Sequence, residues 1–249
     1  MAETELADST VRAPLKSPTR VCPAIILAMT ALTAAQLARL IDFPLHRPDA
    51  TAKDVEQHCA LARQHHFAAV AVNSSYVVHA RHFLEDCDVK VVAAIGFPLG
   101  GADGDTKRYE TEVAVDNGAQ EIDVVMNIGR LKDGDDKYVL RELRDVAEAA
   151  DERIVKVIIE TCLLTRDEKL RACQLVLDSG AHFVKTSTGY STGGATVEDI
   201  KLLREFVGPD VGVKASGGIR DYATAMALIE AGANRLGTSS GVAIIQAAG

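Results

Sequence analysis

Phe183-Val184-Lys185-Thr186-Ser187-Thr188-Gly189 and Val211-Gly212-Val213-Lys214-Ala215-Ser216-Gly217-Gly218 are the two stretches on which the reading of this chain turns. Each is a short apolar run of strand type with one lysine near its end, followed by a glycine turn. A buried ammonium is costly unless it is paired or neutral. Two of them on neighbouring strands supply a reason for the cost: the second positive charge lowers the pKa of the first and frees its amine to attack a carbonyl. Amine catalysis near pH 7 needs a downward shift of roughly 3 units from about 10.4, or ~4 kcal/mol. One like charge ~4 Å away supplies about 4 kcal/mol at an effective dielectric near 20, so Lys214 is sufficient in magnitude to shift Lys185. The competing reading, two surface lysines at strand ends, fits the flanking Ser, Thr and Gly residues less well.

Outward from these runs, apolar segments of β type alternate with amphipathic helical patterns from residue 40 onward. Strands are predicted over 40–45, 67–73, 89–97, 121–127, 154–160, 182–187, 211–215 and 235–238. Helical patterns fall over 51–65, 105–116, 136–150, 166–178, 197–206 and 221–231. Thr165-x-x-Glu168 and Thr196-x-x-Asp199 resemble capping boxes. Asn117-Gly118-Ala119, Ser179-Gly180-Ala181 and Ala231-Gly232-Ala233 repeat a helix-ending glycine shortly before a strand. Repeated βα units without linkers predict a closed, single-domain (β/α)8 barrel, the TIM barrel, over residues 34–249. An open doubly wound sheet would show a glycine-rich dinucleotide fingerprint after its first strand, and this chain has none. Residues 1–33 read as a partly disordered N-terminal extension leading into a short helix. If Val184 faces the helices, Lys185 points into the barrel with Phe183 and Ser187.

Composition narrows the function. The chain has 249 residues, 47% hydrophobic and 25% charged, with a formal net charge of -8. That balance argues against nucleic acid and against an anionic membrane surface as partners. The five cysteines are odd in number and form no Cys-x-x-Cys, which points to reduced thiols and a cytoplasmic protein. The apolar run 21–32 resembles a secretory signal, but Glu3, Glu5 and Asp8 precede it and Pro23 interrupts it. It is also too short to span a bilayer.

The strand ends supply further candidates. Glu121-Ile122-Asp123-Val124-Val125-Met126-Asn127 places Asp123 among apolar neighbours, where it could relay protons to the lysines or merely neutralise them. Lys156 and Glu160 share a face of Lys156-Val157-Ile158-Ile159-Glu160-Thr161 and read as a supporting ion pair. Thr188-Gly189, Gly217-Gly218 and Gly237-Thr238-Ser239-Ser240 end three consecutive strands. Loops in that part of a barrel commonly hold a phosphate, through backbone N–H groups that glycine lets approach and through neutral hydroxyls. Thr188, Gly189, Gly217, Gly218, Gly237, Ser239 and Ser240 are therefore candidate phosphate ligands. No metal or other cofactor is expected. A metal-dependent site would need a His and carboxylate cluster, yet most of the seven histidines lie on helices or connecting segments, and His79 with His82 reads as a solvated face.

The two lysine runs, Glu121-Ile122-Asp123-Val124-Val125, Ile95-Gly96-Phe97-Pro98-Leu99-Gly100, Lys156 to Thr161 and Arg235-Leu236-Gly237-Thr238-Ser239-Ser240-Gly241 resemble those of deoxyribose-phosphate aldolases. The similarity extends from Asp42 to the C-terminus. It implies a class I, Schiff-base aldolase that reversibly cleaves 2-deoxy-D-ribose 5-phosphate to acetaldehyde and D-glyceraldehyde 3-phosphate without a metal, in deoxyribose phosphate catabolism. Lys185 matches the Schiff-base lysine, Lys214 the second lysine that perturbs it, and Asp123 the acid/base partner. Asp42, where the similarity begins, is expected in a supporting role, and the family implies a homodimer. The chain departs from the family's pattern at Phe43-Pro44, where relatives carry a His-Thr pair. It also departs at Ala71, at Ser74 and in the loop 101–105, which should be more flexible. A phosphosugar isomerase or other aldolase on the same barrel is the alternative enzyme. A non-catalytic sugar-phosphate sensor would not need Lys185, Lys214 and Asp123 together.

Overall fold

The computed structural model describes residues 32–249. The extension expected over 1–33, with its short helix and the signal-like run, therefore lies outside the described residues except for positions 32 and 33. Eight parallel strands close into one barrel in chain order. They are β1 (Ile41–Leu45), β2 (Ala69–Asn73), β3 (Lys90–Ile95), β4 (Glu121–Val125), β5 (Ile154–Ile158), β6 (Phe183–Lys185), β7 (Gly212–Ser216) and β8 (Arg235–Gly237). The helices are α1 (Ala34–Ala38), α2 (Ala52–His65), α3 (Val77–Phe83), α4 (Gly104–Asp116), α5 (Ile128–Lys132), α6 (Asp136–Ala149), α7 (Arg166–Ser179), α8 (Val197–Val207), α9 (Tyr222–Glu230) and α10 (Gly241–Gln246).

All eight predicted strands are present; seven are slightly shorter than their apolar runs, and β7 keeps its length but starts one residue later. β3 stops at Ile95 because Gly96 turns to φ 60° ahead of the cis Phe97-Pro98 bond. The predicted helices are also present, but α1, α3, α5 and α10 escaped the pattern: at five to seven residues they are too short to display a helical period. Thr165 and Glu168 form the expected reciprocal capping box. Thr196 caps Asp199, but the Asp199 carboxylate turns away to Lys169 Nζ at 2.6 Å, so that second box is not closed. His79 and His82 are both exposed on α3.

Alternation along the strands separates two interiors. Val184, Val213, Leu236, Ile122 and Val157 face the helices and build the main apolar core. The barrel lumen instead holds a small apolar patch of Ala69, Ala71 and Val92, with the charged side chains above and beside it. Phe183 fills the lumen next to Gly212, where a Cβ would lie 2.2 Å from the ring, so glycine is required there. Phe183 and Lys185 are thus one strand repeat apart on the inward face, as alternation predicts.

Candidate functional site

The lumen carries four cations against three carboxylates. Lys185 Nζ and Lys214 Nζ each donate to the same oxygen of Asp123, Oδ2, at 2.7 Å. Lys156 Nζ takes Asp123 Oδ1 at 2.9 Å and Glu121 Oε2 at 2.6 Å. Lys214 also reaches Asp42 Oδ2 at 2.5 Å, and Arg235 Nε donates to Asp42 Oδ1 at 2.9 Å while its Nη2 reaches Glu121 at 3.1 Å. Strand register explains the meeting: Asp123 pairs with Lys156 across β4 and β5, and Lys185 with Lys214 across β6 and β7.

The protonation of this cluster follows from its surroundings. Burial alone would raise Asp123, but Lys156, Lys185 and Lys214 outweigh it and hold the carboxyl well below the usual range. Asp42 is likewise low, because Arg235, Lys214 and Lys156 overcome its burial. Lys156 is raised, its carboxylates outweighing burial. Lys185 moves the other way, down to about 8. Burial is the leading cause there, the Asp123 carboxylate opposes it, and Lys214 adds a smaller lowering. Lys214 thus lowers the amine as expected but does not act alone: it spends its charge between two carboxylates, and burial does more. Loss of one proton from the seven groups balances the cluster's charge, and Lys185 is the cation held by one shared oxygen only.

The expected Lys156–Glu160 ion pair is not formed. Glu160 lies beyond the end of β5 with φ 50°, so strand alternation no longer governs its direction. Its carboxylate accepts instead from Thr188 N at 3.2 Å and Thr188 Oγ1 at 2.5 Å, tying the ends of β5 and β6 together. Thr188 Oγ1 also accepts from Tyr190 N, so its hydroxyl is already engaged.

Lys185 and Lys214 border a cavity of about 470 Å³, while Asp123 lies buried beneath them and outside its lining. Lys185, Lys214 and Asp42 form part of its floor, and all seven candidate phosphate residues line it. Gly194 and Gly217 bring two loops together there: Ala195 N donates to the carbonyls of Ser216 and Gly217, and a Cβ on Gly194 would lie 2.2 Å from Gly217 O. Among the cavity residues that sequence reasoning missed, three stand out. Arg47 and Arg220 add guanidinium groups to a site expected to rely on neutral donors, and His46 lies on the inward face of β1 one residue past its end. The alternation Asp42, Pro44, His46 was the signal that could have found the histidine. Phe43, at one of the departures from the family pattern, points outward and stacks on His58 at 3.7 Å. Ala71 faces the cavity, and Ser74 Oγ donates to Glu110 at 2.8 Å. The loop 101–105 is anchored rather than loose at its end, since Asp103 caps α4 and meets Tyr138. Among the described residues no group of three or more His, Cys, Asp or Glu is placed to hold a metal ion, and no helix is long and apolar enough to cross a membrane.

A buried amine with a lowered pKa, a second ammonium and a carboxylate, all at the floor of a cavity at the strand ends of a (β/α)8 barrel, equip a protein for carbonyl chemistry. The family model described as DeoC/LacD family aldolase matches residues 38–247, and the chain belongs to that family. It is 53% identical over 211 residues to the deoxyribose-phosphate aldolase of Geobacillus sp. (strain WCH70), covering 84% of this chain and 95% of the relative. Among solved structures, the aldolase QR15 superposes with a TM-score of 0.82 at 37% identity, over 85% of this chain and 95% of its own. The deoxyribose phosphate aldolase from Aeropyrum pernix, described as a unique tetramer, gives 0.81 at 33% identity, over 86% and 92%.

Proposed function

We propose that this aldolase cleaves 2-deoxy-D-ribose 5-phosphate reversibly to acetaldehyde and D-glyceraldehyde 3-phosphate, with Lys185 as the nucleophile. The observation that carries the reading is the sharing of Asp123 Oδ2 by Lys185 and Lys214 at the cavity floor. The near-complete coverage of a 53% identical relative so named supports the substrate.

Unprotonated Lys185 attacks C1 of the open-chain aldehyde, and loss of water leaves an iminium. The iminium withdraws electrons as the C2–C3 bond breaks and the C3 hydroxyl gives up its proton, releasing D-glyceraldehyde 3-phosphate and leaving an enamine. Asp123 and Lys214, adjacent to the forming groups, move protons to and from C2 and the hydroxyls. Hydrolysis of the iminium then frees acetaldehyde and regenerates the amine. Asp42, Lys156 and Glu160 support the arrangement: the first two fix the charges of Lys214 and Asp123, and Glu160 ties Thr188 in place. The phosphate rests against Gly189, Gly217, Gly218, Gly237, Ser239 and Ser240, with Thr188 contributing position rather than a free hydroxyl, and it orients the sugar on Lys185. The domain that does this spans 34–249, and we place it in the cytoplasm as a homodimer; the tetramer of the Aeropyrum pernix relative is the other assembly to test.

Cleavage of 2-deoxyribose 5-phosphate, followed by coupled detection of D-glyceraldehyde 3-phosphate in the presence of a chelator, tests the reading. Turnover at an undiminished rate is expected. No turnover, or turnover abolished by the chelator, contradicts it.

A further inference from the structure

We infer that His46 is a specificity-determining residue that reads the hydroxyl beside the carbonyl of the three-carbon aldehyde half of the substrate. This inference rests on the aldolase reading above. The inward positions of β1 are Asp42, Pro44 and His46, and all three line the cavity. Asp42 is committed to Lys214 and Arg235. Pro44 has no side-chain donor or acceptor, and β2 contributes only Ala71 to this wall. Arg47, next along, is held by Asp49 at 2.8 Å and Asp54 at 2.6 Å.

His46 is thus the uncommitted hydrogen-bonding side chain that this wall offers to a ligand. It is only 9% exposed, and among the described residues neither ring nitrogen has a hydrogen-bond partner. The ring is nonetheless held in place. Phe97 lies against it at 4.5 Å and in turn meets Tyr190 edge-on at 5.4 Å. Burial first, and the nearby Lys185 ammonium second, keep the imidazole neutral, with its pKa lowered to about 3.

A neutral imidazole has one N–H donor and one lone pair. That combination matches a hydroxyl, which can accept from one group and donate to another, and it offers no charge to the phosphate. A site built to hydrogen-bond a hydroxyl rejects the analogue lacking it far more strongly than an apolar pocket can.

The test compares two acceptors for acetaldehyde: D-glyceraldehyde 3-phosphate, and 3-oxopropyl phosphate, which lacks the hydroxyl. The parent protein should prefer the first. His46→Leu should lower kcat/KM for D-glyceraldehyde 3-phosphate by about 10- to 100-fold while changing that for 3-oxopropyl phosphate by no more than about twofold. His46→Gln, which keeps a donor and an acceptor, should recover part of the preference, a rescue that a packing role would not give. Borohydride capture of acetaldehyde on Lys185 checks that each variant is folded, and His46→Met replaces His46→Leu should that variant fail this check. Equal losses on both acceptors, or an unchanged ratio, would overturn the inference while leaving the aldolase reading intact. Parent protein that condenses neither acceptor would sink both.

Discussion

Among the lumen cations, Lys156 has two close carboxylates, as do Lys214 and Arg235, whereas Lys185 has one oxygen and shares it. The proton is therefore released most easily there, and a pKa of about 8 corresponds to roughly 3 kcal/mol of relief from the ordinary lysine value. At pH 7 about a tenth of Lys185 would be free amine, and at pH 9 about nine tenths. The rate of Schiff-base formation should accordingly rise with pH through about 8, as stopped-flow measurement with acetaldehyde would report. Lys214→Leu removes one lowering influence, so the residual activity should fall at pH 7 and climb at higher pH. A residual profile superimposable on the parent's would mean that Lys214 acts in proton transfer and not on the amine's pKa. The lysine pair was legible in the sequence because alternation and two glycine-ended runs locate it. The weight of burial was not, since the depth of Lys185 depends on the closure of eight strands.

At the scale of elements, the loops after β6, β7 and β8 interlock. Gly194→Ala places a methyl group against the Gly217 carbonyl, a backbone atom that cannot swing aside. The expected outcome is a raised KM for the sugar phosphate with acetaldehyde capture by Lys185 preserved, since β6 itself is untouched. Ser239→Asp should raise KM by roughly tenfold or more, through a like charge beside the phosphate. If KM for deoxyribose 5-phosphate were unaltered, the phosphate would have to sit elsewhere. Arg220 lies at the cavity mouth and is exposed, so its replacement by Ala should weaken binding most at low salt. The loops were legible as glycine and hydroxyl clusters in register. What escaped were the features that depend on where the chain goes after a strand ends: Glu160 leaves β5 in a left-handed turn and swaps its expected partner for Thr188, and His46 sits one residue past β1.

At the scale of the molecule, the barrel buries titratable groups in states that acid reverses. His46 and His58 are held neutral, at about 3 and about 4, chiefly by burial. The groups around His46 are Lys185, Asp123, Lys214 and His58. Both folded pKa values lie below the ordinary histidine value of 6.5, so the stability they contribute is present above that pH and is lost as pH falls towards 4 and 3. Each would lower stability by up to about 2 kcal/mol at pH 5 relative to neutral pH. Thermal unfolding followed from pH 7 to 5 should show a falling midpoint, and His46→Leu should flatten that fall. An unchanged slope in the variant would contradict neutral burial of His46. The barrel itself was legible from repeated βα punctuation, whereas the four helices of five to seven residues among the described residues needed tertiary contacts to define them.

The central claim is that Lys185 is the amine that bonds to the substrate. Borohydride reduction in the presence of dilute acetaldehyde, followed by peptide mapping, tests it most directly. One ethyl group on Lys185, absent from a folded Lys185→Ala variant, is the result expected; no adduct, or an ethyl group mapped to Lys214 or Lys156 with turnover persisting in Lys185→Ala, would contradict it.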